Sequence, residues 1–224
     1  MTRIVGLDLS LTGTGIATVD NAPVCPSCGG TVTTSGDRHP PRCIRAVCRY
    51  EGPGDTAHRV AVSRVTSKGP ARRKGDPPVP LSSRSVRLRR LAQQITQECA
   101  GADLVVVEGP SYASEGAGTW DRAGLWWLVV GRLTGAGLPV VEVPPSNVKM
   151  YALGKGNGAG TGKDEVLAAV IRRYLPVVEV PGNNEADALV LAAMGARFTG
   201  APIEPGGDLP AANLRAMTTV RWTT

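Results

Sequence analysis

Four acidic residues stand in apolar or glycine-rich surroundings: Asp8 in IVGLDLSLTGTGIA, Glu108 in LVVVEGP, and Glu185 and Asp187 in NNEADALVLAAMG. A carboxylate facing an apolar interior is costly unless something pairs with it. Several converging on one site need a strong positive charge among them, which a divalent cation supplies. Carboxylate oxygens are the hard donors that Mg²⁺ takes in octahedral geometry. Two such ions about 4 Å apart can hold an in-line phosphodiester hydrolysis, one beside the attacking water and one beside the leaving oxygen. Each acid also has a plainer reading. Asp8 could cap the TGTG turn, Glu108 could be a surface acid at a strand end, and acids in a first helical turn are stabilised by the helix dipole.

A second set of residues is sulfur-based. CPSCGG and CIRAVC give C-x2-C…C-x4-C across Cys25, Cys28, Cys43 and Cys48. Four thiolates suit tetrahedral Zn²⁺, and four protein ligands leave no open position, so such a zinc is structural. His39 could stand in for one of the four. A short loop of this kind has little core, so the metal would supply most of its folding free energy. The chain opens directly on a strand pattern with no secretory segment, which favours metal over disulfides. Cys99, on the apolar face of a helix, reads as core.

The formal charge is +6. Between Arg59 and Arg90 there are ten Lys or Arg and a single acid, Asp76, so the excess is concentrated there. Such clustering is what a phosphate backbone selects. Arg72, Arg73 and Lys74 in the loop, with Arg84 and Arg87 on the helix after it, are the candidate nucleic-acid contacts. A solvated basic face is the plainer alternative.

These residues need elements to hold them. RIVGLDL reads as a buried strand, GIATVD as its hairpin partner, and HRVAVSRVTS as a third strand. Residues 82–99 form an amphipathic helix with Val86, Leu91, Ile95 and Cys99 inward. LVVVE is a continuous apolar run, as for a strand buried on both faces. An apolar helix from Trp120 to Leu133, the strand LPVVEV, a loop-rich connection, and the helices KDEVLAAVIRRYL and NNEADALVLAAMGAR follow. The sum is an α/β chain with a mixed five-stranded sheet flanked by helices. The domain expectation is 1–22 with 55–198 as one discontinuous unit, 23–54 as a zinc-binding insertion between strands 2 and 3, and 199–224 as a tail. No apolar run approaches membrane-spanning length, and the default location is cytoplasmic.

At the acidic motifs the chain resembles the RuvC family of Holliday-junction resolvases, within the ribonuclease-H-like nuclease fold. GLDLSLTGTGIA is similar to the family's first strand and hairpin, VVVEGP to its fourth strand, and EADALVLA to its C-terminal acidic helix. The resemblance implies an Mg²⁺-dependent endonuclease with two ions per site, Mn²⁺ serving in their place, acting on four-way junctions as a homodimer. It implies Asp8, Glu108 and Asp187 as metal ligands and Glu185 as the fourth. The family sets its last two metal-site residues three apart, but Asn184 stands three before Asp187. Glu185 stands two before, about 200° round an ideal helix, and reaches a metal only from an irregular first turn. The stretch LPVVEVPPSNVKMYALGKGNGAGTGKDEV is similar to the family's Lys-containing loop. There Lys163 is the expected scissile-phosphate contact, with Lys149 and Lys155 as further DNA contacts. Tyr112 falls where the family meets unstacked bases. The helix carrying Trp120, Trp126 and Trp127 falls where the family dimerises. The cysteine insertion departs from the family's compact bacterial members.

Three rivals stay open. A related nuclease of the same fold could cut flaps or RNA/DNA hybrids with the same acids. GLDLSLTGTG also resembles the phosphate loop of actin-like ATPases and sugar kinases, which need a second domain that 224 residues do not provide. A non-catalytic branched-DNA-binding protein on the same scaffold would suit Asn184.

Overall fold

The computed structural model describes residues 2–25, 27–28, 32–33, 42–49, 51, 55–69, 75–110, 118–205 and 208–222. The sheet is built from β1 (Thr2–Asp8), β2 (Gly13–Val24), β5 (Asp55–Thr66), β6 (Leu104–Glu108) and β7 (Val140–Val143). Its order is β5-β2-β1-β6-β7. β1 and β2 form an antiparallel hairpin, β5 adds antiparallel to β2, and β6 and β7 run parallel to β1. The expected mixed five-stranded sheet is therefore present. Two short strands, β3 (Val32–Thr33) and β4 (Arg42–Cys43), pair separately in the cysteine module, at the far end of the β2–β5 ribbon.

Alternation along the strands divides the core in two. Val5, Leu7, Ile16, Val105 and Val107 face α1 (Leu81–Glu98) and α2 (Thr119–Gly135). Ile4, Ala17, Val19, Leu104 and Val106 face α3 (Pro145–Leu153), α4 (Lys163–Tyr174), α5 (Asn183–Phe198) and α6 (Ala211–Thr218). Period-two alternation sends neighbouring residues to opposite faces, so each central strand feeds both layers. On α1, Leu91, Ile95 and the adjacent Cys99 are buried as expected, but Val86 is 38% exposed, because the start of the helix extends past the apolar cluster.

α5 lies closest to the sheet. Its buried stretch from Ala188 to Ala196 is rich in Ala, with Gly195, and such small side chains let backbones approach. A Cβ at Gly6 would stand 2.1 Å from the Ala188 carbonyl oxygen, so only glycine fits there.

Two elements were hidden in the sequence. α3 lies where a loop is expected. Pro144 and Pro145 start it, since proline suits the first helical position, and it buries Val148, Tyr151 and Ala152 at helical spacing. The stretch after residue 198 reads as a weakly patterned tail, yet Ile203, Leu209, Ala216 and Val220 join the core. Glu204 fastens it, accepting from the hydroxyls of Tyr151 (2.6 Å) and Tyr174 (3.0 Å) and from Arg197 (2.7 Å). Phe198 and Trp222 stack at 4.7 Å. The pattern was weak because these contacts come singly, from long-range neighbours.

Candidate active site

Asp8 ends β1 and Glu108 ends β6, and these strands are parallel neighbours with Leu7 opposite Val107. The two carboxyls therefore leave the sheet side by side and share a hydrogen bond. The indole Nε1 of Trp126 on α2 donates to the Glu108 carbonyl at 2.9 Å and fixes that strand end. Asp187, in the second turn of α5, completes the group, because α5 crosses β1 directly above. Each acid is pushed toward its protonated form, burial being the largest cause. Asp8 is raised to about 6, Asp187 to about 7 and Glu108 to about 9. The neighbouring carboxylates raise Glu108 and Asp187 further.

Lys163 is the opposing charge. It opens α4 and is exposed, and its ammonium lowers all three carboxyls. Lys149 on α3 acts on Asp187. One or two lysines at the rim leave the three acids short of positive charge. The donor set, all carboxylate oxygen, fits Mg²⁺ or Mn²⁺. Among the described residues only the four cysteines close to within 4.8 Å of one another as a metal-ligating set.

The cysteines form the second centre. Cys25 and Cys48 have their sulfurs 3.6 Å apart, and Cys28 and Cys43 theirs 3.5 Å apart. Four thiolates around zinc at about 2.3 Å have sulfurs about 3.8 Å apart, so the cluster has the dimensions of a tetrahedral site.

The sequence matches known proteins in part. A stretch of 56 residues, 25% of this chain, is 41% identical to the crossover junction endodeoxyribonuclease RuvC of Bartonella bacilliformis, covering 31% of that protein. A stretch of 68 residues is 38% identical to the enzyme of the same name from Synechococcus sp., covering 42% of it. The matched segments thus span less than half of either relative. No family profile matches the chain. In three dimensions it superposes on Thermus thermophilus RuvC with a TM-score of 0.54 at 18% identity, over 91% of this chain and 99% of that one. The same protein in complex with a Holliday junction substrate gives 0.51 at 17% identity.

The chain is RuvC-like in sequence and in fold.

Within this RuvC-like fold the other expected site residues take varied places. Glu185 is buried, and both of its oxygens accept from the guanidinium of Arg64. Its charge still reaches Asp8. Asn184 turns away from the acids and donates to the Gly13 carbonyl. Arg84 is paired with Asp121 on α2, its Nη2 2.5 Å from the carboxylate. Arg87 donates to the carbonyls of Leu11 (2.6 Å) and Ser67 (3.1 Å) and to the Ser67 hydroxyl (2.9 Å), tying the β1–β2 turn to the end of β5. Both α1 arginines read from the sequence as DNA contacts, Arg84 and Arg87, have internal partners, which periodicity within one helix could not disclose. Lys155 is exposed and braces its loop through the Ala159 carbonyl at 2.7 Å. Arg72, Arg73, Lys74, Tyr112 and His39 lie outside the described residues.

Arg64 was missed. Its signal was present: in HRVAVSRVT it follows Val60 and Val62 on one face of the strand, and both valines pack on the core. An arginine continuing an inward apolar alternation asks for a buried acid.

Proposed function

We propose that this RuvC-like chain is a divalent-metal-dependent endonuclease that cuts branched DNA at four-way junctions. The observation that carries the reading is the meeting of Asp8 and Glu108, at the ends of adjacent parallel strands, with Asp187 on α5 above them and Lys163 at the rim. The name of the matched relatives, crossover junction endodeoxyribonuclease, supports the substrate.

Asp8, Glu108 and Asp187 would hold Mg²⁺ or Mn²⁺, which when bound activates water and neutralises charge on the phosphodiester. Burial and the neighbouring acids push Glu108 up to about 9, so as a metal ligand it would act deprotonated, and binding of the cation would release a proton. Asp8, the most acidic of the three, accepts the Glu108 hydrogen bond until then. Lys163, with its ammonium free in solvent, meets the scissile phosphate and offsets the charge that develops there. Lys149 stands behind it. Basic groups around the site bind phosphates without reading sequence.

Cys25, Cys28, Cys43 and Cys48 would hold one structural zinc, making 23–54 a separately stabilised module at the tip of the β2–β5 ribbon. A second copy of the chain would dock on α2, where Trp120 and Trp127, 86% and 68% exposed, lie two turns apart on one face. No helix among the described residues is long and apolar enough to cross a membrane.

The test incubates the protein with a synthetic four-way junction, a matched duplex, a flap and an RNA/DNA hybrid, with Mg²⁺ or without it. Paired, Mg²⁺-dependent nicks on the junction alone, lost in Asp8→Asn, support the reading. Cleavage of the flap or the hybrid in preference would assign a different nuclease. Tight junction binding without cutting by the unaltered protein would make it a binding protein only.

A further inference from the structure

One lateral row of the sheet organises the acid cluster. Asp8 on β1 lies opposite Gly15 on β2, and Gly15 lies opposite Arg64 on β5. Directly opposed residues share a face of the sheet. Asp8 and Arg64 therefore rise on the same side, with bare backbone between them. The first turn of α5 fills that gap: a Cβ at Gly15 would stand 2.0 Å from the Asn184 carbonyl oxygen.

The N-terminal end of α5, over its first two turns, presents different acids to its two sides. Asp187 faces Asp8 and Glu108 and exchanges charge effects with both. Glu185, two residues earlier and so about 200° round the helix, faces Arg64. Arg64 Nε donates to one oxygen of Glu185, and Nη2 donates to the other at 2.5 Å. The Glu185 side chain is 2% exposed and that of Arg64 43%. A fork-to-fork pair of this kind fixes orientation as well as distance. The backbone makes room for it, since a Cβ at Gly182 would come within 2.7 Å of Arg64 Nη2. On the same turn the Asn184 amide is fastened to the Gly13 carbonyl. Glu185 and Asn184, the two side chains nearest before Asp187 that carry polar groups, are thus committed to β5 and β2.

We propose that Arg64 and Glu185 are a positioning pair. They clamp the first turn of α5 onto β2 and hold Asp187 against Asp8 and Glu108, so that three carboxylates, not four, hold the cation. The proposal rests on the metal-nuclease reading. It reassigns Glu185 from ligand to anchor and gives Arg64 its role. Freeing Glu185 for a metal would first strip a buried carboxylate of the cation it is paired with.

The probe is Mn²⁺, counted by electron paramagnetic resonance on the full chain, beside junction cleavage at varied Mn²⁺. The variants are Glu185→Gln, Arg64→Glu, Glu185→Arg and the exchanged double variant Arg64→Glu/Glu185→Arg, with Asp187→Asn for reference. Glu185→Gln is expected to bind as many ions as the unaltered protein. The single charge reversals are expected to slow cleavage by up to about 100-fold, the cost of a misplacement near 1 Å, and the exchange to recover most of that loss. The proposal is overturned if Glu185→Gln loses an ion as completely as Asp187→Asn does, since Glu185 is then a ligand. It is also overturned if the exchanged variant melts like the unaltered protein yet recovers no activity. Should the exchanged variant not fold, the ion count of Glu185→Gln decides. If Asp187→Asn itself keeps every ion, the metal-site reading fails, a result distinct from failure of the clamp.

Discussion

Asp8 and Glu108 close the ends of two adjacent parallel strands and share a hydrogen bond, and burial pushes both toward their protonated forms, Glu108 the further. Burial and mutual repulsion favour that arrangement in the acids by themselves, and on the proposed reading a divalent cation would replace the proton. Function and stability are therefore linked through the same three side chains.

The linkage has a definite sign. Folded-state values of about 6 for Asp8, about 7 for Asp187 and about 9 for Glu108 all exceed the ordinary ones. The folded chain keeps protons that the unfolded chain releases, so the stability these groups allow is full below about pH 4 and is lost as pH rises through the folded values. Without added divalent cation, the melting temperature should fall between about pH 5 and pH 9 on this account. Mg²⁺ or Mn²⁺ should restore it by a margin that widens with pH. Asp8→Asn should flatten the slope. Calorimetry in buffers of different ionisation enthalpy should detect a proton released on metal binding. A melting temperature that climbs steadily over this range would contradict the account.

Gly15→Ala should be costly although it adds one methyl group. The added carbon meets backbone, not a side chain that can turn aside. Overpacking of this kind costs about 1–3 kcal/mol, and it should also displace Asp187. Denaturant unfolding measures the first effect and Mn²⁺ affinity the second. Gly131→Ala, within α2 and facing open space, should be neutral or stabilising by up to about 1 kcal/mol.

The cysteine module should be separable from the sheet-bearing core. Its small cluster of Cys25, Val32 and Cys43 is distinct from the two clusters that flank the sheet. Elemental analysis should find about one zinc per chain. Cys43→Ser should abolish it and open the 23–54 segment to protease, while the main unfolding transition shifts little. A fully folded, protease-resistant module that holds no metal would rule out the zinc site.

Trp127→Glu should break the dimer. Among the described residues Trp127 is 68% exposed, with an edge contact to Trp126 at 4.9 Å, so the substitution should leave the monomer folded. Sedimentation should show a dimer for the unaltered protein and a monomer for the variant. A monomer in both would remove the second copy from the proposal.

Much of the fold was legible in the sequence, for a local reason. IVGLDL, LVVVE and PVVEV are strand-length apolar runs, and they form the centre and one edge of the sheet. The acids Asp8 and Glu108 were conspicuous because each follows such a run. α3 and α6 were not legible: one hides behind two prolines, and the other is held by contacts with distant partners such as Asn147, whose amide donates to the Ala216 carbonyl at 2.7 Å.

What the sequence by itself determined was which residue types end the strands and open the helices, and so that carboxylates would gather at one end of the sheet. It could not decide which acid of NNEADALVLAAMG faces them. Helical spacing sets Glu185 and Asp187 on opposite sides of α5, but which side meets Asp8 and Glu108 depends on how α5 is rotated on β1 and β2. That rotation is set by Gly6 and Gly15, which admit the helix backbone, and by Arg64, which draws Glu185 outward. Arg64 and Glu185 are 121 positions apart in the chain, and only packing between elements brings them together.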